Sequence, residues 1–259
     1  MDLWHEIAGE GPPVLLLHAG ICDSRMWEPQ WRSFPPRHRT IRCDLRGYGR
    51  TPMPPEPFSS ARDVIGLLER PELGPSALVG ASNGGRVALE VALARPDLVE
   101  RLVLVAPSLP DHEWSQATER YGEAEEAALE RGDLDAAVEL NLRMWVDGPQ
   151  RQPGDVDPEL RRLVGEMQRQ AFELQEPVWD DADEEPLVAD LGARAGDLEM
   201  PALVVVGDED VPDMHAIAER LAAAIPGAEL ARIAGAAHLP SLERPDAFDR
   251  VALAFIDAA

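Results

Sequence analysis

The chain has no lysine. All 24 of its basic residues are arginine, set against 48 acidic ones. Without a lysine amine, Schiff-base chemistry, covalent pyridoxal phosphate included, has no side chain to start from. Cysteine is nearly absent as well, with only Cys22 and Cys43. Two thiols with no Cys/His ligand spacing around them read as free thiols of a reducing compartment, and a cytoplasmic protein is expected. No apolar run is long enough to span a bilayer. The first residues, MDLWHEIAGEG, show no basic region leading into an apolar one. A formal charge of −24 repels nucleic acid and anionic membranes, which leaves a small molecule as the expected partner. No dinucleotide glycine pattern, phosphate loop or His-Glu-x-x-His helix occurs, so neither an organic cofactor nor a metal is expected.

What is present is alternation. PPVLLLHAG (12–20), TIRCDLRG (40–47), SALVGAS (76–82) and ERLVLVAP (100–107) are nearly continuous in Val, Leu and Ile, as buried parallel strands are. Helical periodicity fills SSARDVIGLLERPEL and GGRVALEVALARPDL between them. The rhythm returns with strands in PALVVVGDED (201–210) and AELARIAGAAH (228–238), a helix at MHAIAERLAAAIPG, and a last helix from about Pro240 to Asp257. This predicts an α/β fold with a mostly parallel sheet and helices on both faces. Residues 109–199 break the rhythm with amphipathic stretches only: EAEEAALERG, LDAAVELNLRMWV and PELRRLVGEMQRQAFELQ. Residues 110–200 carry 25 acidic and 8 basic side chains, most of the net charge, so a helical cap insertion with a solvated acidic face is expected. The core then comprises residues 1–108 and 200–259.

One junction carries chemistry. In Gly80-Ala81-Ser82-Asn83-Gly84 a serine sits where a buried strand must turn directly into a helix. Such a corner strains the backbone and presents the hydroxyl outward, and the residues two before and two after must be small. The free N–H groups of the helix start then face any negative charge formed at the serine. A serine nucleophile needs a base, and His238 lies on a loop at the same carboxyl end of the sheet. The orienting carboxylate is open on placement alone, among Asp208, Glu209, Asp210 and Asp213 after one strand and Asp111 after another.

LLLHAG, DLRGYGRT, GASNGG, RLVLVAPS, PALVVVGDED and AGAAHLPSLERPDAFDRVALAFI, in that order, resemble the α/β-hydrolase superfamily over nearly the whole chain. The resemblance implies the α/β-hydrolase fold and a triad in which Ser82 is nucleophile, His238 base and then acid, and Asp210 the orienting acid. It implies an oxyanion hole from the N–H groups of Asn83 and Gly20, with Ile21 second to Gly20, because His18-Ala19-Gly20 stands where relatives often read His-Gly-x. His18 is expected to be structural. A serine at the elbow speaks against the aspartate chemistry of haloalkane dehalogenases and most epoxide hydrolases in this fold. The motifs are similar to those of enol-lactone hydrolases, carbon–carbon hydrolases and haloperoxidase-like esterases. The expected activity is hydrolysis of a small or medium carboxylic ester or lactone. Carbon–carbon bond hydrolysis, another triad reaction of the lyase or cyclase kind, and a non-enzymatic small-molecule binding role are the alternatives. Trp114, Met144, Trp145, Phe172 and Trp179 are the large apolar candidates of the insertion, with Ile21, Trp145 and Phe172 the expected substrate contacts. Arg86 and Arg143 are the cations expected to offset the negative field locally.

Overall fold

The computed structural model describes residues 1–71 and 73–258. Glu72 and Ala259, which the sequence reading put in a helical stretch and in the last core segment, lie outside them. Seven strands, β1 (His5–Ala8), β2 (Pro13–Leu17), β3 (Arg39–Cys43), β4 (Ser76–Ala81), β5 (Val99–Val105), β6 (Ala202–Gly207) and β7 (Glu229–Ile233), form one sheet ordered β1-β3-β2-β4-β5-β6-β7. Every neighbouring pair is parallel except β1–β3, which is antiparallel. The α/β fold expected from the alternation of apolar runs and helices is the fold observed. Every residue of β4 and β6 is buried, and successive side chains enter opposite faces. Leu15, Leu17, Leu78, Leu104 and Val204 join one apolar cluster, whereas Val14, Leu16, Val79, Val103 and Val205 join the other. Each such side chain contributes roughly 1.5–3 kcal/mol of burial.

Ten α-helices are described: α1 (Glu28–Ser33), α2 (Ser60–Leu68), α3 (Asn83–Ala94), α4 (Gln116–Glu130), α5 (Leu134–Asn141), α6 (Pro158–Gln175), α7 (Leu191–Arg194), α8 (Pro212–Ala224), α9 (Pro240–Glu243) and α10 (Pro245–Ile256). Helices α2, α3 and α8 bury Val64, Val87 and Ile217 on one face of the sheet. Trp27 and Phe34 around α1 and Phe248 and Phe255 of α10 cover the other. Three local expectations change. The edge strand β1 is added; its four residues, His-Glu-Ile-Ala, are too few and too mixed to carry a strand signal. The last helix is two, because Pro245 holds Arg244 at φ −134, ψ 59, outside helical geometry. The stretch 134–146 is α5 followed by a π-helical turn, Leu142–Asp147.

Between β5 and β6 the described elements are α4–α7 and short turns, with one isolated bridge from Phe58 to Glu184. Side-chain amides sew α6 to the loop after β3: Gln170 Nε2 donates to Gly49 O at 2.8 Å and Gln175 Nε2 to Gly47 O at 3.1 Å. The start of α4 is held by a core carboxylate. Asp213, in the first turn of α8, accepts from the Ser115 N–H at 3.0 Å, the Ser115 hydroxyl at 2.7 Å and the Thr118 hydroxyl at 2.6 Å, with His112 Nε2 at 3.2 Å. Burial raises the Asp213 pKa, but the Thr118, Ser115 and His112 hydrogen bonds outweigh it and hold the carboxyl below its ordinary range. No helix of the described residues is long and apolar enough to cross a membrane.

Because the folded pKa of Asp213 is depressed, its contribution is intact at neutral pH and is lost as pH falls through the folded value, below about 3.8. Asp213→Ala is expected to lower the unfolding free energy by about 3 kcal/mol at pH 7, and by progressively less in acid. Urea denaturation of both proteins across pH measures the difference.

Candidate active site

The junction of β4 and α3 is a crowded corner. Ser82 stands at φ 50, ψ −113, a left-handed conformation that strains a residue with a side chain by about 1–3 kcal/mol. Its N–H is bound to Val105 O at 2.8 Å, and its carbonyl accepts from Ser108 N at 3.2 Å and Arg86 N at 3.0 Å. A Cβ on Gly80 would overlap the Gly84 carbonyl, and one on Gly84 would overlap the carbonyls of Leu17 and His18. The Gly84 N–H instead donates to His18 O at 3.1 Å. The elbow is therefore locked against the loop after β2, and that contact brings the expected oxyanion donors together. A Cβ on Gly20 would lie 3.4 Å from Asn83 Cβ and 3.7 Å from the Tyr48 hydroxyl. Among the described residues the N–H groups of Gly20, Ile21 and Asn83 make no hydrogen bond. Asn83 stands at the start of α3, where N–H groups have no intrahelical partner, and Gly20 and Ile21 lie in the loop after β2.

His18 orients this loop from below. Leu45 N–H donates to its Nε2 at 2.9 Å, so the ring proton is on Nδ1, which donates to Ala19 O at 2.9 Å. Burial lowers the His18 pKa against the pull of Asp44 and Asp23, so the ring is neutral. Burial likewise pushes the Cys22 thiol up, with Asp23 adding to the effect. An un-ionised thiol is a poor nucleophile.

At the other side of the sheet edge, His238 Nδ1 lies 3.0 Å from Asp210 Oδ2, and the second oxygen of Asp210 accepts the Val211 N–H at 2.8 Å. Both side chains are buried. Three of the other candidate carboxylates are engaged elsewhere. Asp208 accepts from Gly235 N at 2.6 Å, Asp111 pairs with Arg220 at 2.6 Å, and Asp213 holds α4. Of the expected triad the structure joins Asp210 to His238. Among the described residues no hydrogen bond links the Ser82 hydroxyl to the imidazole, a contact that is often long in free enzymes and tightens with substrate.

Glu243 was not singled out in the sequence. One of its oxygens accepts the N–H of Ala237 at 2.9 Å and of Leu239 at 3.4 Å, bracketing His238, while the other meets Arg151, between α5 and α6, at 2.8 Å. Pro240 at the start of α9, with an acidic residue in that first turn, is the helix-start signal that could have drawn attention to it. Trp145 lies over the imidazole, ring centroids 4.6 Å apart. Ile21 and Phe172 are buried in one apolar cluster with Met26 and Met167. Trp179 is 51% exposed and lines a groove of about 550 Å³ with Glu125, Glu126, Leu129 and Glu176. The two arginines expected to offset the negative field are taken by carboxylates. Arg86 donates to Glu184 at 2.7 and 2.8 Å, to Glu90, and to Asn83 Oδ1 at 3.0 Å, and Arg143 donates to Asp147 at 3.0 Å. Among the described residues no group of three or more His, Cys, Asp or Glu side chains could hold a metal ion.

The model of the Alpha/beta hydrolase family matches residues 14–251. The chain belongs to this family. It is 30% identical over 257 residues to a pimeloyl-[acyl-carrier protein] methyl ester esterase of Nitrosospira multiformis, covering 96% of this chain and 95% of that protein. It is 28% identical to a putative carbamate hydrolase RutD of Agrobacterium fabrum, covering 94% of this chain and 93% of the relative. Among solved structures, the enol-lactonase from Burkholderia xenovorans LB400 superposes with a TM-score of 0.82 at 24% identity, covering 99% of this chain and 96% of that one; that likeness shows the fold. Within the family this chain is a hydrolase.

Burial raises the Glu243 carboxyl above its ordinary value of 4.5, although Arg151 and two N–H groups oppose it. The folded hydrolase therefore holds the Glu243 proton more tightly than the unfolded chain does. Its stability should fall as pH rises through that window. Glu243→Gln keeps an acceptor for Ala237 and Leu239 but cannot titrate. Urea denaturation between pH 4 and 7 should show a smaller decline for the variant than for the wild type.

Proposed function

We propose that this hydrolase cleaves small or medium carboxylic esters or lactones through a covalent acyl-enzyme on Ser82. The observation that carries the reading is the buried Asp210–His238 pair, 3.0 Å apart, on the same sheet edge as a strained serine at a helix start. His238 Nε2 takes the proton of the Ser82 hydroxyl as Oγ attacks the carbonyl carbon, and Asp210 stabilises the imidazolium through Nδ1–H. The carbonyl π electrons move to oxygen, which is received by the N–H groups of Asn83 and Gly20; one such donor typically supplies about 3 kcal/mol at the transition state. The tetrahedral intermediate collapses, the C–O bond to the leaving alcohol breaks, and His238 returns the proton to that oxygen. Water, deprotonated by His238, then attacks the acyl-enzyme, releasing the acid and restoring Ser82.

Two features support a compact, uncharged acyl group. Trp145 lies over the catalytic imidazole, and an aromatic face beside the reacting group suits an apolar acyl chain. Arg86 and Arg143 are engaged by carboxylates, so neither is free to hold an anionic substrate. A carbamate presents the same kind of carbonyl, and the relatives named putative carbamate hydrolases place it on the substrate panel.

Hydrolysis of p-nitrophenyl acetate through octanoate, simple aliphatic lactones and an alkyl carbamate tests the reading. Ser82→Ala should lower kcat at least about a thousandfold on whichever substrate turns over. A fluorophosphonate adduct should map to Ser82 by mass spectrometry. Full activity in Ser82→Ala would remove the proposed nucleophile, and cleavage of vinylogous diketones with esters untouched would favour the carbon–carbon reading.

A further inference from the structure

The catalytic imidazole is not held by the core alone. The ring lies against Trp145, ring planes 42° apart, and the backbone N–H of His238 donates to Trp145 O at 3.4 Å. Trp145 belongs to the π-helical turn Leu142–Asp147. Such turns shift side chains out of α-helical register, and they occur often at functional sites. The indole is itself fixed by a directional chain. Trp145 Nε1–H donates to the Tyr121 oxygen at 3.0 Å, the Tyr121 hydroxyl donates to Asn141 Oδ1 at 2.7 Å, and Asn141 Nδ2 donates to Glu125 and, at 3.0 Å, to Ala137 O. Apart from the branch to Ala137 O, the donors run one way from the indole to the Glu125 carboxylate, an arrangement in which each bond polarises the next.

The turn is also wedged against both triad loops. Gly148, just past it, has φ 74, and a Cβ there would lie 2.6 Å from Glu209 O and 3.3 Å from Ala237 Cβ. Glu209 precedes the acid, and Ala237 precedes the base. Arg151, three residues on, reaches Glu243, which holds the peptides on both sides of His238. Three separate contacts therefore run from one short segment of the insertion to the acid–base pair.

We propose that Trp145 is a positioning residue for His238, locked by the chain Trp145–Tyr121–Asn141–Glu125, so that the imidazole is aligned only while the helical insertion is seated. The proposal rests on the triad reading above. It deepens that reading by giving an insertion residue a task in catalysis distinct from lining the acyl pocket.

The test is a double-mutant cycle of Tyr121→Phe and Trp145→Phe on p-nitrophenyl acetate and hexanoate, with melting temperature as the check on folding. Tyr121→Phe keeps the ring and removes one hydroxyl. It should lower kcat by about tenfold, a loss in the range that small misalignments of reacting groups produce. KM should stay within about twofold, and the factor should be the same for both acyl lengths. The double variant should be no slower than Trp145→Phe, because the hydroxyl acts through the indole. Multiplicative losses, an effect on KM that scales with acyl length, or unchanged kcat in Tyr121→Phe would overturn the proposal. Should Trp145→Phe not fold, Tyr121→Phe with Asn141→Asp supplies the cycle under the same criteria. A second readout needs no turnover. The downfield proton resonance of His238 Nδ1–H, assigned by its loss in His238→Gln, should shift or broaden in Tyr121→Phe. An unaltered resonance would overturn the positioning role even if the wild type cleaves no ester, and wild-type inactivity alone would count only against the esterase reading.

Discussion

The organising constraint is the close approach of two backbones at the elbow. Gly84 reaches the carbonyls of Leu17 and His18 with no room for a side chain, and its N–H is bound to one of them. That contact forces the turn between β4 and α3 to be sharp, which leaves Ser82 in a conformation no relaxed residue adopts. It also sets the loop after β2 beside the helix start, so Gly20 and Asn83 become neighbours although they are far apart in sequence. Strain at the serine is sustained because buried strands on both sides of β4 cannot move to relieve it.

An all-arginine chain with twice as many acidic residues meets its charges in a particular way. Planar guanidinium groups bind two acceptors at once, and several join the helices between β5 and β6 to the elements around the sheet. Arg86 joins the elbow helix to Glu184, Arg151 joins the insertion to Glu243, and Arg25 joins Asp23 to Gln170 on α6. The surplus carboxylates lie mostly outward on the helices between β5 and β6, while Asp210 and His238 are buried.

How much of this was legible follows from the range of the interactions involved. The central strands announce themselves because both faces are covered and the runs are apolar throughout; β1, at the edge, has no such signature. The elbow was legible because its demands are local, confined to five residues. The choice among Asp208, Asp210 and Asp213 was not a matter of composition. These residues follow β6 closely, Asp213 already in α8, and only the fold sends one to His238, one to Gly235 and one to Ser115. The same holds for Tyr121 and Glu243, whose partners are set by how the insertion lands. The π-helical turn is invisible in LDAAVELNLRMWV, since an α-helix satisfies that pattern equally well. Arg86 shows the opposite risk: the sequence offered it as a cation to offset the negative field, yet neighbouring carboxylates claim it.

The left-handed glycine at position 148 gives the seam between insertion and core a geometric signature. Glu209 O and Ala237 come so near that the returning backbone must pass bare. A chimera carrying a different roof on this scaffold would have to place a residue without a β-carbon at that crossing, whatever its helices look like elsewhere. Otherwise the two loops bearing Asp210 and His238 would be pried apart while the sheet beneath them stayed intact.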